Sequence, residues 1–130
     1  MSDYKWLTLT AVKTIHDQLI TAFGGSSGVR DEGLLESALA RPKQIVAYGD
    51  PTFARLAAAY AFGIARNHPF VDGNKRTALM AAYVFLRING HRLAVSEVEA
   101  VAVIRDLAAG DLDEDALAIW IETNTEDRRE

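Results

Sequence analysis

The fold of this chain is decided by ten consecutive residues, His68-Pro69-Phe70-Val71-Asp72-Gly73-Asn74-Lys75-Arg76-Thr77. They separate two long apolar runs, one from Phe53 to Arg66 and the other from Ala78 to Ile88. A helix that is apolar on all sides is usually buried at the centre of a domain. The sequence therefore predicts two buried central helices, joined by a short loop that is rich in polar and charged side chains.

The residues near the N-terminus predict an amphipathic helix followed by a turn. Thr10 is a suitable N-cap for a helix that runs to about Phe23. Its apolar face would be formed by four residues at helical spacing, Val12, Ile15, Leu19 and Ala22. The glycine-rich stretch from Gly24 to Gly28 follows no strand and lacks a subsequent Gly-Lys-Ser/Thr. It therefore predicts a flexible turn and not a phosphate-binding loop.

A second helix is predicted from Glu32 to Arg41, with Asp31 as its cap and Pro42 as its stop. The segment 43–49 shows no clear pattern, and we expect an irregular flap over a site. Asp50-Pro51 then predicts the cap and first position of the first central helix.

The second central helix is expected from Asn74 to about Asn89. The stretch Ser96 to Glu99 has the pattern of a capping box and predicts a helix to about Ala109. The acidic residues from Asp111 to Asp115 suit the start of a last helix through about Asn124.

Strand signals are weak throughout, and the polar stretch Thr125 to Glu130 is expected to fray. We therefore predict an all-α fold, a compact helical bundle in which residues 1–130 form a single domain.

Composition narrows the classes of function. Of the 130 residues, 49% are hydrophobic and 25% are charged, which is typical of soluble globular proteins. The absence of cysteine excludes disulfides and thiolate metal sites. No signal peptide is evident, and the longest apolar stretch is too short to span a bilayer, so we expect a cytoplasmic protein. The net charge of -4 argues against nucleic-acid binding over a broad face.

The central loop begins with a candidate base. Pro69 disfavours the α conformation for the residue before it, so the first central helix should end near Asn67. His68 would then project from the end of this helix. Its imidazole suits a general base near neutral pH, and Phe70 is expected to anchor the loop in the core.

The second half of the loop carries groups suited to phosphate chemistry. Asp72 offers the hard oxygen ligand that Mg²⁺ takes together with phosphates, and Gly73 lets the backbone turn sharply and come close to a ligand. Free N–H groups at the start of the next helix attract anions, and Lys75 and Arg76 add positive charge there. Each residue alone would usually be a cap or a solvated surface group. Their order between two buried helices indicates a site.

The same stretch resembles the signature of the Fic/Doc superfamily, in which a His-x-Phe-x-Asp/Glu-Gly-Asn-x-Arg loop joins two core helices. The segments Gly28 to Pro42 and Lys75 to Leu79 are similar to the Doc (death on curing) toxins of type II toxin–antitoxin systems. This resemblance implies that His68 deprotonates a target hydroxyl and that Asp72 is the Mg²⁺ ligand. It also implies a phosphate-binding anion hole lined by Gly73, Asn74, Lys75 and Arg76.

The resemblance further implies a reaction and partners. Many Fic adenylyl transferases have glycine where this chain has Lys75 and a second arginine where it has Leu79, whereas Doc toxins share the lysine. Doc toxins are understood to transfer the γ-phosphate of ATP to elongation factor Tu and so inhibit translation. We therefore expect ATP and Mg²⁺ as cofactors, a hydroxyl side chain of a protein as acceptor, and a Phd-like antitoxin as partner. Gly73 matches the Fic pattern where a well-known Doc protein has alanine, so AMP transfer to a protein hydroxyl is the alternative.

Two further interpretations assign the chain to other classes of function. The chain could be a non-catalytic helical module that only binds a partner, although the complete His/Asp/Asn/Arg set argues against this. His16-Asp17 suggests an HD-type phosphohydrolase, but the further ligands of such a site are missing. A P-loop is excluded, because the required upstream glycine is replaced by His68.

No Ser or Thr is followed by Glu four residues later, so the inhibitory motif of some Fic proteins is absent, and we expect inhibition by a separate protein.

Overall fold

The computed structural model describes residues 3–127. This part of the chain contains six helices and a small two-stranded sheet, in the order α1 (Leu9–Phe23), α2 (Glu32–Val46), α3 (Phe53–Asn67), α4 (Asn74–Ile88), β1 (His91–Leu93), α5 (Glu97–Ala109), α6 (Glu114–Thr123) and β2 (Thr125–Asp127). The predicted all-α fold is confirmed apart from this sheet. No helix among these residues is both long enough and apolar enough to cross a membrane.

Helix α3 lies at the centre and contacts α2, α4, α5 and α6. Most of its residues are buried, and many are alanines, as the apolar run predicted. Small residues allow neighbouring helices to approach closely. At Gly63, an added Cβ would lie 3.0 Å from the Cα of Ala38 in α2. The pair α3 and α4 thus forms the buried centre that the sequence indicated.

Two predicted helix starts are each wrong by two residues. Helix α1 is capped by Thr8, not Thr10, and the Thr8 hydroxyl accepts a hydrogen bond from the N–H of Ala11. Helix α3 is capped by Thr52, not Asp50, and has no proline in its first turn. Both threonines are extended residues directly before their helices, where a hydroxyl reaches the free N–H groups of the first turn.

The prediction that Pro42 stops α2 is wrong, because the helix continues to Val46. Pro42 belongs to a buried face that it shares with three other residues at helical spacing, Leu35, Ala38 and Leu39. Burial of this face against α3 outweighs the roughly 3 kcal/mol that an interior proline costs. The expected irregular flap at residues 43–49 is therefore the last turn of α2 and a following turn. It lies beside Arg55, away from the central loop.

The expectation that the C-terminal tail frays is wrong for Thr125–Asp127, and residues 128–130 lie outside the described part. Strand β2 pairs antiparallel with β1, with Leu93 opposite Thr125. Leu93 is buried, so the pairing covers an apolar residue of the core. A three-residue strand carries too little pattern to be recognised in the sequence.

The C-terminal helices match their predictions. Ser96 caps α5 through the N–H of Glu99, and Asp113 caps α6. The Glu99 carboxylate accepts a 2.9 Å hydrogen bond from the Trp120 indole. This bond joins α5 to α6, whereas the predicted capping box would have turned Glu99 back onto its own helix.

Glu114 joins α6 to α2 and α3. Its side chain is 10% exposed and forms ion pairs with Arg41 and Arg55, the latter at 2.8 Å. Burial raises the pKa of the Glu114 carboxyl, but the hydrogen bonds from the two guanidinium groups outweigh burial and hold that pKa below its ordinary value. The charged form is therefore the one that stabilises the fold.

We predict that Glu114→Gln lowers the free energy of unfolding by about 2 kcal/mol at pH 7, because charged hydrogen bonds to both arginines are lost. A carboxyl whose pKa is depressed by folding stabilises above its unfolded pKa and loses this contribution as the pH falls. The difference between variant and wild type should therefore shrink below pH 4.5, the ordinary pKa of the group. Urea titrations at several pH values measure it.

Glu126→Gln is the matched control, since its pair with Arg92 is exposed. This substitution should lower the free energy of unfolding by less than about 1 kcal/mol. An equal loss in both variants would contradict the role given to the buried pair.

Candidate active site

The site begins where α3 ends. Asn67 is the last helical residue, as predicted, and His68 adopts a left-handed conformation with φ 49° and ψ 56°. Within residues 3–127, His68 is the only non-glycine residue with a positive φ. This conformation costs roughly 1–2 kcal/mol for a residue with a side chain. It leaves the His68 side chain exposed at the rim of a cleft.

The segment 28–31 holds the strained turn in place. Arg30 donates from Nε to the carbonyl of His68 at 2.7 Å and from Nη2 to that of Asn67 at 2.9 Å. The N–H groups of Arg30 and Asp31 both donate to the carbonyl of Pro69. These bonds offset the cost of the left-handed residue. No sequence pattern indicated this role, although the segment formed part of the family resemblance.

Phe70 anchors the loop as predicted, with 1% of the residue exposed. Its N–H donates to Asn74 Oδ1 at 2.9 Å, and Asn74 Nδ2 donates to the Phe70 carbonyl at 3.0 Å. Both ends of the Asn74 amide are thus engaged within the loop. What this residue can offer an anion is its main-chain N–H at the first position of α4.

The Asp72 carboxylate is exposed and accepts hydrogen bonds from the N–H groups of Ser26 at 3.2 Å and Gly73 at 2.8 Å. These two bonds hold the pKa of the Asp72 carboxyl below its ordinary value, and the charge on Arg76 adds to the effect. The carboxylate is therefore ionised at neutral pH, in the state that a cation would bind.

Residues 24–28 contain no helix or strand, in agreement with the predicted turn, but they also contact Asp72, which the sequence did not indicate. Besides the bond from Ser26, Gly25 lies directly against Asp72, and an added Cβ would be 2.7 Å from its Oδ2. Gly25 has φ +115°, in the region that favours glycine. The turn therefore places a backbone surface beside the carboxylate, which only the three-dimensional contact reveals.

Gly73 makes the sharp turn that was predicted, with φ 75°, and occupies the N-cap position of α4. No side chain caps this helix, so the N–H groups of its first turn are left for another acceptor. Lys75 and Arg76 follow directly, and both are exposed. The Arg76 guanidinium lies 4.7 Å from the centre of the Phe23 ring at the end of α1.

One cleft of about 820 Å³ brings all six candidate residues together: His68, Asp72, Gly73, Asn74, Lys75 and Arg76. This volume is within the range of small-molecule sites. Helix α5 lines the opposite side with Glu97, Val101 and Arg105. The sequence did not indicate these three, because nothing in a helical pattern shows which distant loop its exposed face will meet.

Sequence reasoning also missed His16. The predicted apolar face of α1 is correct at Val12 but wrong at Ala22, which is exposed, and His16 is buried instead. The His16 ring stacks on Phe70 with a centroid distance of 3.9 Å. The Asp17 carboxylate is exposed, and its Oδ1 lies 3.9 Å from His16 Nδ1. The spacing of four residues between Val12 and His16 was the one sequence signal that placed His16 on the buried face.

The chain matches the Fic/DOC family over residues 6–86, which include the whole central loop. It is 49% identical over 102 residues to the protein named Toxin Doc of Mycolicibacterium smegmatis, covering 75% of this chain and 78% of that protein. It is also 43% identical over 77 residues to the protein named Protein kinase doc of Escherichia phage P1, covering 58% of this chain and 61% of that one. With this match over more than half its length, the chain belongs to the Fic/DOC family.

Proposed function

We propose that this protein is a cytoplasmic toxin of a type II toxin–antitoxin system, with residues 1–130 acting as one catalytic domain. It transfers the γ-phosphate of ATP to a hydroxyl side chain of a protein, with elongation factor Tu as the expected target. The observation that carries the proposal is one open cleft holding an exposed imidazole, an ionised carboxylate and the uncapped start of α4 with its two cations. The names of the two relatives, a toxin and a protein kinase, support it.

In the proposed reaction, His68 accepts the proton of the target hydroxyl. The hydroxyl oxygen forms a bond to the γ-phosphorus, the bond between that phosphorus and the β–γ bridging oxygen breaks, and ADP leaves. Negative charge on the transferred group is stabilised by the N–H groups at the start of α4 and by Lys75 and Arg76. Phosphoryl transfer depends largely on such positioning and charge stabilisation.

Asp72 fits the role of a Mg²⁺ ligand. Its carboxylate is exposed, and the low pKa keeps it ionised. Within residues 3–127, no group of three or more His, Cys, Asp or Glu side chains is placed to hold a metal ion. A Mg²⁺ ion held by one carboxylate together with phosphates and water agrees with this, because Mg²⁺ keeps much of its water shell. When bound, the ion would neutralise phosphate charge.

Lys75 is the reason to propose transfer of the terminal phosphate. Its side chain is exposed in the cleft where many Fic adenylyl transferases have glycine, so it adds charge and occupies space. Gly73 is the residue that favours the alternative, transfer of AMP. However, its φ of +75° and the 3.3 Å approach of Ile20 Cδ1 to an added Cβ give this glycine a conformational reason of its own.

We predict that a translation extract incubated with the protein acquires label from γ-labelled ATP and none from α-labelled ATP. Mass spectrometry would then find one added phosphate on elongation factor Tu. The variant His68→Ala should give no labelling and should still fold, because the side chain is exposed. The matched control is His91→Ala, a histidine outside the cleft that contacts Phe53, and it should label normally. Label only from the α-position would favour AMP transfer, and no label from either would favour a non-catalytic module.

We predict that Gly25→Ala impairs the reaction through Asp72, because the new Cβ would collide with Oδ2. The rate should fall by at least about tenfold, towards that of Asp72→Ala. For Asp72→Ala we expect the loss of about 2 kcal/mol or more of transition-state stabilisation. Gly24→Ala is the matched control: it also has a positive φ, but an added Cβ there meets no atom within 4 Å. Rates are compared at equal folded fractions over a series of Mg²⁺ concentrations. If both glycine variants lose the same activity, the contact with Asp72 is not the cause.

The cleft also suggests how the enzyme is restrained. Three apolar residues in or beside the loop are about half exposed: Phe23 at 57%, Val71 at 54% and Val101 at 49%. Such a surface suits the apolar face of an amphipathic helix. Since the chain lacks the inhibitory motif of some Fic proteins, we propose that a separate Phd-like antitoxin covers this surface.

We predict that expression of the protein alone is toxic and that co-expression with such an antitoxin relieves the toxicity. In a His68→Ala background, Val101→Asp should weaken co-purification with the antitoxin by at least about tenfold, since it places a charge in an apolar contact. Ile119→Asp is the control, because Ile119 is 68% exposed on α6, outside the cleft. Equal binding by both variants would place the antitoxin elsewhere.

A further inference from the structure

The proposed reaction makes no use of His16, although it is a titratable side chain that is only 1% exposed. Its ring lies parallel to that of Phe70, with an interplanar angle of 8°. Its Nε2 lies 2.8 Å from the carbonyl oxygen of Asp72. A carbonyl oxygen only accepts, so Nε2 carries a hydrogen and donates it. His16 therefore has no free lone pair at Nε2 and is not a second general base.

The carbonyl that His16 contacts belongs to the peptide unit between Asp72 and Gly73. The N–H of the same unit is bonded to Asp72 Oδ1 at 2.8 Å. One peptide plane is thus held at both ends, by an imidazole on the carbonyl side and by a carboxylate on the N–H side. Its orientation determines where the Asp72 carboxylate lies and how α4 begins.

Without the bond from His16, this peptide plane would be restrained at one end, by the bond from the Gly73 N–H to Asp72 Oδ1. Rotation of a peptide unit changes ψ of the residue before it and φ of the residue after it. Glycine populates positive and negative φ about equally well, so Gly73, now at φ 75°, would accept either orientation. The glycine that permits the sharp turn is also the reason that the turn needs an external support.

We infer that His16 is a positioning residue that fixes the Asp72–Gly73 peptide plane, and through it the carboxylate and the anion-binding start of α4. The inference rests on the proposed function and adds to it a residue of α1 that lies outside the loop. A misplacement of about 1 Å at a catalytic group can cost about a hundredfold in rate.

The test distinguishes the effect of the His16 hydrogen-bond donor from the effect of its aromatic ring. In His16→Gln the side-chain NH₂ can reach the position of Nε2, so the bond to the Asp72 carbonyl is kept. In His16→Phe the stack on Phe70 is kept and the donor is lost. We expect kcat to stay within about threefold of wild type for the first variant and to fall by at least about tenfold for the second, with the KM for the protein target unchanged.

His16→Asn is a second test that does not depend on the folding of the phenylalanine variant. Its amide is one methylene too short to reach the Asp72 carbonyl, so it should behave like His16→Phe. Val12→Ala is the control for packing of α1, because Val12 is fully buried on the same face, one turn earlier. At equal folded fractions it should keep the wild-type kcat. If the kcat of His16→Gln falls as far as that of His16→Phe and His16→Asn, or if the kcat of Val12→Ala falls equally, His16 has no role beyond packing.

A measurement on the backbone tests the inference without the reaction. Hydrogen exchange of the Gly73 amide, followed by NMR, should be at least about tenfold faster in His16→Phe and His16→Asn than in wild type and His16→Gln. If wild type transfers no label to any protein, the proposed function fails while the exchange result still decides the role of His16. If Gly73 exchange is the same in all four proteins, the inference is wrong even when the transfer reaction is confirmed.

Discussion

The site depends on the burial of the Phe70 side chain. Burying a ring of this size contributes about 2–3 kcal/mol, and it draws the loop between α3 and α4 into the core. The buried backbone must then find hydrogen-bond partners, and the side chain of Asn74 satisfies both the N–H and the carbonyl of Phe70. With this residue fixed, the two polar ends of the loop, His68 and Asp72, are left at the surface on either side of it.

The electrostatics of the loop follow from backbone groups as much as from charged side chains. Asp72 is kept ionised first by the N–H groups of Ser26 and Gly73, with a smaller contribution from Arg76. The start of α4 is left without a side-chain cap, so its free N–H groups lie close to a carboxylate. In the proposed function these N–H groups bind a phosphate, and the neighbouring carboxylate would repel that phosphate unless a cation came with it.

The sequence predicted what depends on local pattern. Apolar runs indicated α3 and α4, and the polar stretch between them indicated six candidate residues, which do line one cleft. It failed where distant residues decide the outcome. Burial against α3 carries α2 through Pro42, and pairing with β1 orders Thr125–Asp127. His16 lies 56 residues from Asp72, and no periodicity reports such a contact.

Helix α1 is less buried than the central helices. In it only Val12 and His16 are fully buried, whereas most of α3 is inaccessible. Elements with few buried apolar contacts open by local fluctuation well below the global free energy of unfolding. Detachment of α1 would free the Phe70 ring and the Asp72 carbonyl while the α3–α4 centre stayed intact. Heat should therefore inactivate this protein at a temperature where most of its helical structure survives.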